Sequence, residues 1–573
     1  MKGVKGIPYG MSSFTDVREQ DCYYVDKTMY LPMLEEQAHY LMFIRPRRFG
    51  KSLFLDMLRS YYDLSQKEKF RELFGGLWIA DHPTPLQGAY QVLYLDFSKI
   101  GGTVDELSQR FDAYSAVQLD EFLNRYESYY SQEFIGRFRS AKKGIDKLHI
   151  LDAAARRLGY KLYLIIDEYD NFTNVLLNEQ GNEIYHAITH ASGFYRDAFK
   201  NYKGMFDRIF MTGVSPVTLD DLTSGFNISW NISTNPLFNQ MLGFSEEDVR
   251  TMLDYYHRLG MLEGDVEEMI REMKPWYDNY CFAADSLDVD TKMFNCDMVL
   301  YYLRHRSQTG KSPRFMIDPN TRTDYNKMKK LIQLDRLDGD RKGVIRRIAE
   351  EGRIVTNLIP SFSADRITRP EIFPSLLFYY GMLTIVGTRG NLTVLGIPNN
   401  NVRKQYYEYL LEEYQRQEHI NLVDLEILFS DMALDGHWHP AMEFIADAYR
   451  KHSSVRSSME GERNIQGFFT AYLSINAYYL TMPEVELNHG FCDMFLMPDL
   501  QRYADVAHSY ILELKYLPKD KFASQSEAQW AEAVEQIHRY AEGEKVKQLC
   551  QGTQLHCLVM QFCGWELVRM EEV

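Results

Sequence analysis

Residues 39–62 read HYLMFIRPRRFGKSLFLDMLRSYY. The apolar run at 39–44 predicts a buried strand, and the apolar residues after Ser52 recur at helical spacing. Between the two stands the triplet Gly50-Lys51-Ser52. In such a strand–turn–helix context, backbone N–H groups hold phosphates, a lysine neutralises their charge and a serine ligates Mg²⁺. We therefore predict a phosphate-binding loop that leads into a helix.

The predicted loop is rich in cations and lacks the usual first glycine, because Arg45 occupies that position. We expect the whole loop to contact nucleotide; its residues are Arg45, Pro46, Arg47, Arg48, Phe49, Gly50, Lys51 and Ser52. The three arginines clamp phosphates, form an exposed rim or pair with acids elsewhere in the chain, and the sequence leaves these readings open. A Gly-Lys-Ser triplet also occurs by chance, so the elements that follow must support the prediction.

Three further strand candidates follow the loop. They are Gln91–Phe97, Lys161–Ile166 and Arg208–Thr212. The strand Lys161–Ile166, third when the strand at 39–44 is counted as the first, is followed directly by Asp167-Glu168. An ATPase needs one acid at this place for the Mg²⁺ shell and a second to orient the attacking water. The end of the fourth strand would present Thr212 or Ser215 to the γ-phosphate. No NKxD motif supports guanine, so ATP is the expected nucleotide, bound with Mg²⁺.

Strands separated by long helical connections predict an α/β fold with a parallel sheet covered on both faces. We expect a P-loop ATPase domain over residues 1–242, of the branch that uses a catalytic glutamate. Residues 243–400 are expected to form a helical region with a winged-helix-like helix and hairpin, and residues 401–454 a helical connector. Residues 455–573 are expected to form an α/β domain like that of restriction endonucleases.

A second constellation of chemical groups lies near the C-terminus. Asp493 falls within one strand candidate, and Glu513 and Lys515 are two apart on the next, so those two point to one face. Two carboxylates suit Mg²⁺ or Mn²⁺, and a neighbouring lysine can activate water and stabilise charge on phosphorus. This is the logic of PD-(D/E)XK nucleases. The alternative is an edge hairpin with solvent-facing charges.

Three other residues are candidates for the same site. Glu462, in a helix-like stretch, and Glu484, before the Asp493 strand, would complete the metal site. Gln536 lies on a following helix, Ala528–Tyr540, that would face the same cleft.

Composition restricts the function classes. The chain has 573 residues, with 80 acidic against 64 basic residues and a net charge of −16, which argues against a protein that binds nucleic acid over its whole surface. Seven cysteines without a CxxC pair disfavour a disulfide framework or a zinc site. The N-terminus lacks the apolar stretch of a signal peptide, and no apolar run reaches bilayer length. We expect a cytoplasmic protein with no membrane partner.

The motifs together resemble a known bacterial arrangement. The N-terminal half is similar to the AAA-ATPase-like family, through IPYGMSSF, YYVDKT, FIRPRRFGKSLFLDML, LIIDEYDNF and MTGVSPVTLDDLTSGFNI. The C-terminal part is similar to the companion PD-(D/E)XK superfamily nuclease domain, through EVELNHGFCDMFLMP, YILELKY and QIHRYAEG. The resemblance implies nucleotide and Mg²⁺ roles for Lys51 and Ser52 and a Walker-B role for Asp167 and Glu168. It also implies that Asp493, Glu513 and Lys515 form a nuclease core and that Gln536 is an accessory residue.

These observations predict a STAND/AAA-like ATP-binding module coupled to a metal-dependent nuclease that acts on DNA. Two rival readings stay open. In one, the nuclease fold is inactive and the protein is an ATP-driven switch that binds nucleic acid or a protein partner. In the other, the nucleotide is structural and only the nuclease works. The choice of DNA or RNA, strand and sequence preference, self-association and the biological trigger are not decided by the sequence.

Overall fold

The computed structural model describes most of the chain, in segments separated by short gaps. The described residues are 3–102, 106–171, 198–218, 229–287, 292–313, 315–318, 329, 332, 340–363, 366–367, 369–415, 422–452, 461–487, 490–500 and 502–573. They form two compact units, one made of residues 1–341 and 355–399 and the other of residues 342–354 and 400–573. The predicted boundaries at residues 242, 400 and 454 stay predictions; the segment predicted as a connector, 401–454, lies within the second unit.

The first unit is built on a parallel sheet. The strands described up to residue 231 are β1 (Tyr40–Ile44), β2 (Gln91–Asp96), β3 (Leu162–Asp167), β4 (Arg208–Gly213), β5 (Val217–Thr218) and β6 (Trp230–Asn231). All of these except the short strand β5 belong to the sheet. The sheet order is β2-β3-β4-β1-β6, and every pairing in it is parallel. The predicted parallel α/β sheet is therefore confirmed. The two-residue strand β6, in a stretch rich in Asn and Ser, was not predicted, because its short apolar pattern gives no period to detect.

Helices surround this sheet and extend into the middle of the chain. They are α1 (Phe14–Glu19), α2 (Tyr30–Glu35), α3 (Lys51–Tyr62), α4 (Phe70–Phe74), α5 (Trp78–Asp81), α6 (Leu107–Tyr126), α7 (Gln132–Ser140), α8 (Gly144–Leu158), α9 (Glu246–Arg258), α10 (Val266–Tyr277) and α11 (Cys296–Thr309). Short 3₁₀ turns lie at Leu64–Lys69, Phe97–Lys99, Glu127–Tyr129, Pro236–Phe238, Ala284–Ser286 and Pro370–Ile372. At the start of α9, Ser245 and Asp248 form a reciprocal capping box.

The remaining elements of the middle region are α12 (Arg341–Glu351), β7 (Arg353–Thr356), β8 (Phe362–Ser363), α13 (Phe373–Tyr379), β9 (Thr384–Arg389) and β10 (Leu392–Gly396). Strands β9 and β10 pair antiparallel, so the expected helix followed by a hairpin is present. Whether this module is a winged helix stays a prediction.

The second unit carries a mixed sheet. Besides α12, nearly all of which belongs to this unit, its helices are α14 (Asn400–Gln415), α15 (Leu422–Asp435), α16 (His439–His452), α17 (Glu462–Leu473), α18 (Lys519–Ala541) and α19 (Glu544–Cys550). Its strands are β11 (Tyr479–Leu487), β12 (Gly490–Pro498), β13 (His508–Leu517), β14 (Gln554–Cys563) and β15 (Glu566–Glu572), in that spatial order. Among the described strands of this sheet, only β13 and β14 pair in parallel, and both α18 and α19 lie between them in the chain. The predicted C-terminal α/β domain is therefore present.

Arg45 directly follows strand β1 and is buried, at 1% exposure. Its guanidinium lies 4.2 Å from the ring centres of both Phe43 and Phe282. It donates hydrogen bonds to the carbonyl oxygens of Ser233 (2.7 Å) and Phe238 (2.9 Å) and to that of the preceding residue. These bonds join the end of β1 to the chain after β6. The structure therefore gives Arg45 a supporting role beneath the loop, rather than a place on an exposed rim.

Replacing Arg45 with lysine should destabilise the first unit, because an ammonium group cannot reproduce the planar fork or the stacking between two rings. Leaving even one buried carbonyl oxygen unsatisfied costs about 1–3 kcal/mol. We expect Arg45→Lys to lower the free energy of unfolding by ~2 kcal/mol in chemical denaturation. The matched control is Arg137→Lys on the exposed side of α7, with a change within about 0.5 kcal/mol. A fully stable Arg45→Lys protein with weakened nucleotide binding would instead assign Arg45 to the phosphates.

Candidate functional sites

The phosphate-loop candidate lies between β1 and α3. Gly50 has φ +87°, a left-handed conformation that favours glycine, and it directly precedes the first helical residue. Lys51 is buried, and its ammonium group donates to the carbonyl oxygens of Arg45 (3.1 Å) and Pro46 (2.9 Å). The lysine charge is therefore held inside the loop at the N-terminus of a twelve-residue helix, where backbone N–H groups favour anions.

Ser52 and Asp167 come together although 115 residues separate them in the chain. The Ser52 hydroxyl donates to Asp167 Oδ2 at 2.6 Å, and the backbone N–H of Glu168 donates to Asp167 Oδ1 at 2.9 Å. Burial raises the pKa of Asp167, while the bond from Ser52 and the charge of Lys51 oppose that shift. Burial lowers the pKa of Lys51, and the charges of Glu168 and Asp167 oppose that shift. A hydroxyl and a carboxylate side by side fit a Mg²⁺ shell.

Glu168 follows the end of β3 in a left-handed conformation, with φ +50°. A non-glycine residue in this region is strained and persists where its surroundings hold it. Asp170 supplies part of that support, since its carboxylate accepts from the backbone N–H groups of Val214 (3.2 Å) and Ser215 (2.7 Å). The close approach requires a glycine at Gly213, where an added Cβ would lie 2.2 Å from Asp170 Oδ1. Asp170 thus couples the turn after β3 to the end of β4.

A cavity of about 400 Å³ opens beside the loop. Its polar end is formed by predicted site residues, which are Arg47, Arg48, Phe49, Gly50, Lys51, Ser52 and Glu168. Its other walls come from the N-terminal segment and from α9 and α11; those residues include Pro8, Met11, Tyr23, Tyr24, Met252, Asp297 and Leu300. Sequence reasoning did not assign these walls to the site. The motif IPYGMSSF was noticed only as part of a resemblance, and its spacing alone carries no chemistry.

The other predicted nucleotide residues lie around this cavity in different ways. Arg48, with φ +67°, forms an ion pair with Asp297 at the start of α11, with an N–O distance of 3.1 Å. Thr212 is buried on β4 opposite Phe43, and its hydroxyl has no hydrogen-bond partner among the described residues. Thr212, Arg45, Pro46 and Asp167 are not among the residues that line the cavity. Their direct contact with nucleotide stays a prediction.

The second candidate site lies on β12 and β13. These strands pair antiparallel, with Met494 opposite Leu512, so one step further along the register Asp493 lies opposite Glu513. Both carboxylates are buried, at 8% and 2% exposure. Asp493 Oδ2 accepts the backbone N–H of Leu514 at 2.6 Å, which anchors the carboxylate against the next strand. The structure therefore brings the two predicted acids together.

Lys515 completes this cluster. Its ammonium group lies 2.8 Å from Glu513 Oε1 and 3.9 Å from Glu462 Oε1 at the start of α17. Glu513 Oε2 is buried and has no hydrogen-bond partner among the described residues. A buried oxygen without a partner is costly, and a cation or a water molecule would satisfy it. The geometry thus leaves one carboxylate oxygen available to a ligand.

Gln466 is a site residue that sequence reasoning missed. It lies on α17 one helical turn after Glu462, and its side-chain amide donates to Asp493 Oδ1. The spacing of four residues from a predicted ligand is the pattern that could have revealed it. Gln466 leaves Asp493 with a hydrogen bond on each carboxylate oxygen, so it acts to orient this side chain.

Burial and mutual repulsion control the charge of the cluster. Burial, followed by the charge of Glu513, raises the pKa of Asp493. Burial also raises the pKa of Glu513, and the charge of Lys515 opposes that shift. For Lys515, burial acts to lower the pKa, but the charges of Glu513 and Asp493 outweigh it and the pKa is raised. Two acids with raised pKa values beside one cation are typical of a functional cluster.

The accessory candidates are placed less directly. Gln536 lies on α18, where its amide donates to Glu532 Oε1 at 3.3 Å. Tyr540, one turn further, feels the charges of Glu513 and Lys515, and burial raises its pKa. The side chain of Glu484 lies outside the described residues. Within the part of the chain that the structure describes, no three His, Cys, Asp or Glu side chains gather as a ready metal site. The donors present, Asp493 and Glu513, are the hard oxygen ligands that suit Mg²⁺ or Mn²⁺.

Two family models match the parts of the chain that contain these two candidate sites. Residues 8–223 match the model of the AAA-ATPase-like family, described as a predicted AAA-ATPase. Residues 460–572 match a family model described as PD-(D/E)XK nuclease superfamily. The chain therefore carries an AAA-ATPase-like domain toward its N-terminus and a PD-(D/E)XK nuclease superfamily domain toward its C-terminus. The resemblance seen in the sequence is confirmed.

One curated relative is 27% identical over 324 residues, the "Uncharacterized protein in vnfD 5'region" of Azotobacter chroococcum mcd 1. The match covers 55% of this chain and 56% of the relative, so the chain spans little more than half of that protein's length. Across the described residues, no helix is both long enough and apolar enough to cross a bilayer.

The raised pKa values predict how the metal-free second unit responds to pH. An acid whose folded pKa exceeds its unfolded value, ~3.9 for Asp, costs stability once it ionises, so the cost is absent below that pH and grows as pH rises through the folded pKa. Asp493→Asn removes one such charge and one hydrogen bond, worth about 1 kcal/mol. We expect a net gain of about 1 kcal/mol or more in the free energy of unfolding at pH 8, and little gain at pH 4.

Denaturation of the full chain in EDTA at both pH values measures this difference. The control is Glu535→Gln on the exposed side of α18, which should change stability equally little at both. A loss of stability in Asp493→Asn at pH 8 would identify the cluster as a structural ion pair.

Proposed function

We propose that the protein binds and hydrolyses ATP and couples this to a metal-dependent nuclease that cleaves phosphodiester bonds in nucleic acid, with DNA as the first substrate. The observation that carries the nuclease half is the buried oxygen Oε2 of Glu513, which has no hydrogen-bond partner among the described residues, in the cluster with Asp493 and Lys515. The fold alone would not need two buried acids at this position, because buried charges are costly unless paired or bound to metal.

In the ATPase half, each loop residue has a separate task. Lys51 and the N-terminus of α3 would hold the β- and γ-phosphates, and Ser52 with Asp167 would hold Mg²⁺. The bound ion supplies charge neutralisation at the phosphates. Glu168 lines the cavity and would orient the attacking water. The apolar walls contributed by Met11, Met252 and Leu300 would enclose the base and ribose.

In the nuclease half, Asp493 and Glu513 would hold the metal ion, with Glu462 and Glu484 as further ligand candidates and Gln536 as an accessory. A bound Mg²⁺ or Mn²⁺ supplies Lewis-acid activation of water and phosphate. Gln466 orients Asp493, and Lys515 stands beside Glu513, where its charge would stabilise the developing phosphorane. We propose that ATP binding in the first unit controls this cleavage, as in STAND-type switches.

The setting we propose is a bacterial cytoplasm. The seven cysteines are free in the structure and six of them are buried, which suits a reducing compartment. Self-association is part of the proposal to be tested by solution mass measurements.

The loop is tested by two substitutions with different expected outcomes. Lys51→Ala removes the lysine charge from the phosphates, so ATP affinity should fall at least ten-fold, about 1.4 kcal/mol. Glu168→Gln should bind ATP normally and hydrolyse it at least 100-fold more slowly, since an amide cannot orient water as a carboxylate does. Calorimetric binding and phosphate release measure the two effects. Equal ATP affinity for Lys51→Ala and the parent would refute the loop assignment.

The nuclease centre is tested by cleavage of plasmid and of short DNA and RNA with Mg²⁺ or Mn²⁺, with and without ATP. Asp493→Ala should abolish cleavage while ATP binding persists. Lys515→Ala should retain metal-dependent stabilisation yet cleave at least 100-fold more slowly, about 2.7 kcal/mol of lost transition-state stabilisation. Glu535→Gln should cleave at the parental rate. ATP turnover without cleavage by the parent on any of these substrates would favour an ATP-driven switch, and cleavage without turnover would favour a structural nucleotide.

A further inference from the structure

Arg48 has an uncommon backbone conformation within the phosphate loop. Its φ of +67° lies in the left-handed region, which is strained for a residue with a side chain. Asp297, in the first turn of α11, holds this residue at two points. The Arg48 guanidinium donates to Asp297 Oδ2 at 3.1 Å, and the Asp297 backbone N–H donates to the Arg48 carbonyl oxygen at 3.4 Å. The strained part of the loop is therefore attached to a helix that lies far along the chain.

Both members of this ion pair line the cavity beside the loop. Their side chains are 20% and 24% exposed. Burial raises the pKa of Asp297, and the charge of Arg48 opposes that shift, so the arginine helps to keep the carboxylate ionised. Cys296 also lies next to the loop, because a Cβ added to Gly50 would be 4.0 Å from its Sγ. The start of α11 thus packs against the segment that would surround the phosphates.

A second ion pair at the same cavity differs from this one in a way that matters. Lys27 lines the cavity and donates to Asp248 Oδ2 at 2.6 Å. The Asp248 carboxylate already has a structural task, since it belongs to the capping box of α9. Asn295 caps α11 instead, by accepting the backbone N–H of Met298 at 3.3 Å. The carboxylate of Asp297 is therefore not needed to cap its helix, and its partner can change while the helix stays formed.

The phosphates would lie within reach of the same guanidinium. Lys51 begins α3, and the backbone N–H groups of this helix N-terminus would face the bound anion. Arg48 is three residues before Lys51, on the segment that leads into the helix. A guanidinium can turn from a carboxylate to a phosphate, because both offer paired oxygens that fit its planar fork of donors. Arg48 therefore has two alternative acceptors, one in the protein and one in the nucleotide.

We propose that Asp297 competes with the nucleotide phosphates for Arg48, so that nucleotide binding replaces this ion pair with an arginine–phosphate contact and releases the start of α11. Asp297 is then a positioning residue that weakens nucleotide binding, and the exchange transmits the state of the loop to α11. This inference rests on the proposed ATP binding and adds a regulatory step to it. The apparent affinity is reduced to the extent that Asp297 holds Arg48 in the free protein.

Calorimetric titration of the full chain with the non-hydrolysable β,γ-imido analogue of ATP and Mg²⁺ tests the competition. Asp297→Asn removes the competing charge, so the analogue should bind at least about five-fold more tightly. Arg48→Gln should bind it at least about five-fold more weakly, since the phosphate contact is lost. In the Arg48→Gln background, adding Asp297→Asn should change the affinity less than about two-fold, because the competition acts through the arginine.

Asp146→Asn is the matched control for the loss of a carboxylate. Asp146 is an exposed acid in the first turn of α8, so this substitution changes the charge at a helix N-terminus in the same way as Asp297→Asn. It should leave the affinity for the analogue unchanged, because it lies on a helix that does not line the nucleotide cavity.

Hydrogen exchange of the backbone amides gives a second readout. Adding the analogue to the parent should speed exchange in the first turn of α11, where the Asp297 amide loses its bond to the loop. In Arg48→Gln the analogue should leave exchange there unchanged. The measurement on the parent does not depend on the folding of any variant.

The outcomes separate this inference from the proposed function. A parent that does not bind the analogue overturns both. A parent that binds it, with an Asp297→Asn variant of unchanged or weaker affinity, identifies the ion pair as a support for the shape of the loop and overturns the competition alone. Equal tightening by Asp297→Asn with and without Arg48 would reveal a general effect of the carboxylate charge and would overturn it too. Slower exchange at the start of α11 in the nucleotide-bound parent would show that the ion pair persists, with the same consequence.

Discussion

Keeping charged side chains inside the fold is the constraint on which both candidate sites depend. Lys51 and Asp167 are buried within hydrogen-bonded surroundings, and Asp493 and Glu513 are buried around Lys515. Each isolated charge would be costly in such a place. The parallel pairing of β1 with β4 and of β4 with β3 brings the first pair to one edge of a sheet. The antiparallel pairing of β12 with β13 brings the second pair together. In each sheet, strand pairing therefore brings together charged groups that would be costly to bury singly.

The two sites solve this problem differently. Around the phosphate loop, three charged side chains have partners within the protein: Lys51 donates to loop carbonyl oxygens, Asp167 accepts from Ser52, and Arg48 pairs with Asp297. Nucleotide binding would have to replace some of these hydrogen bonds and ion pairs with contacts to the phosphates. In the second site one oxygen of Glu513 has no hydrogen-bond partner within the described part of the chain, and the two acids repel each other. That imbalance favours a divalent cation over any neutral ligand.

Each site also contains residues that hold the reacting groups in position without reacting themselves. Arg45, which the loop pattern assigned to phosphate, lies between two aromatic rings and binds carbonyl oxygens of the chain after β6. Asp170 holds the end of β4 against the turn after β3, and Gln466 orients Asp493 from a helix. Such contacts keep reacting groups within a narrow range of positions, which catalysis requires. They also explain why residues distant in the chain are needed for a loop of eight residues to function.

Short-range pattern in the sequence was enough to predict the four main parallel strands, the helix after the loop, and the pairing of Asp493 with Glu513 and Lys515. These features repeat with the periods of strand and helix, so neighbouring residues reveal them. The cavity walls from the N-terminal segment, Gln466 and the burial of Arg45 were decided by tertiary structure. Their partners lie from 27 to more than 180 residues away in the chain, and no local period records such a contact.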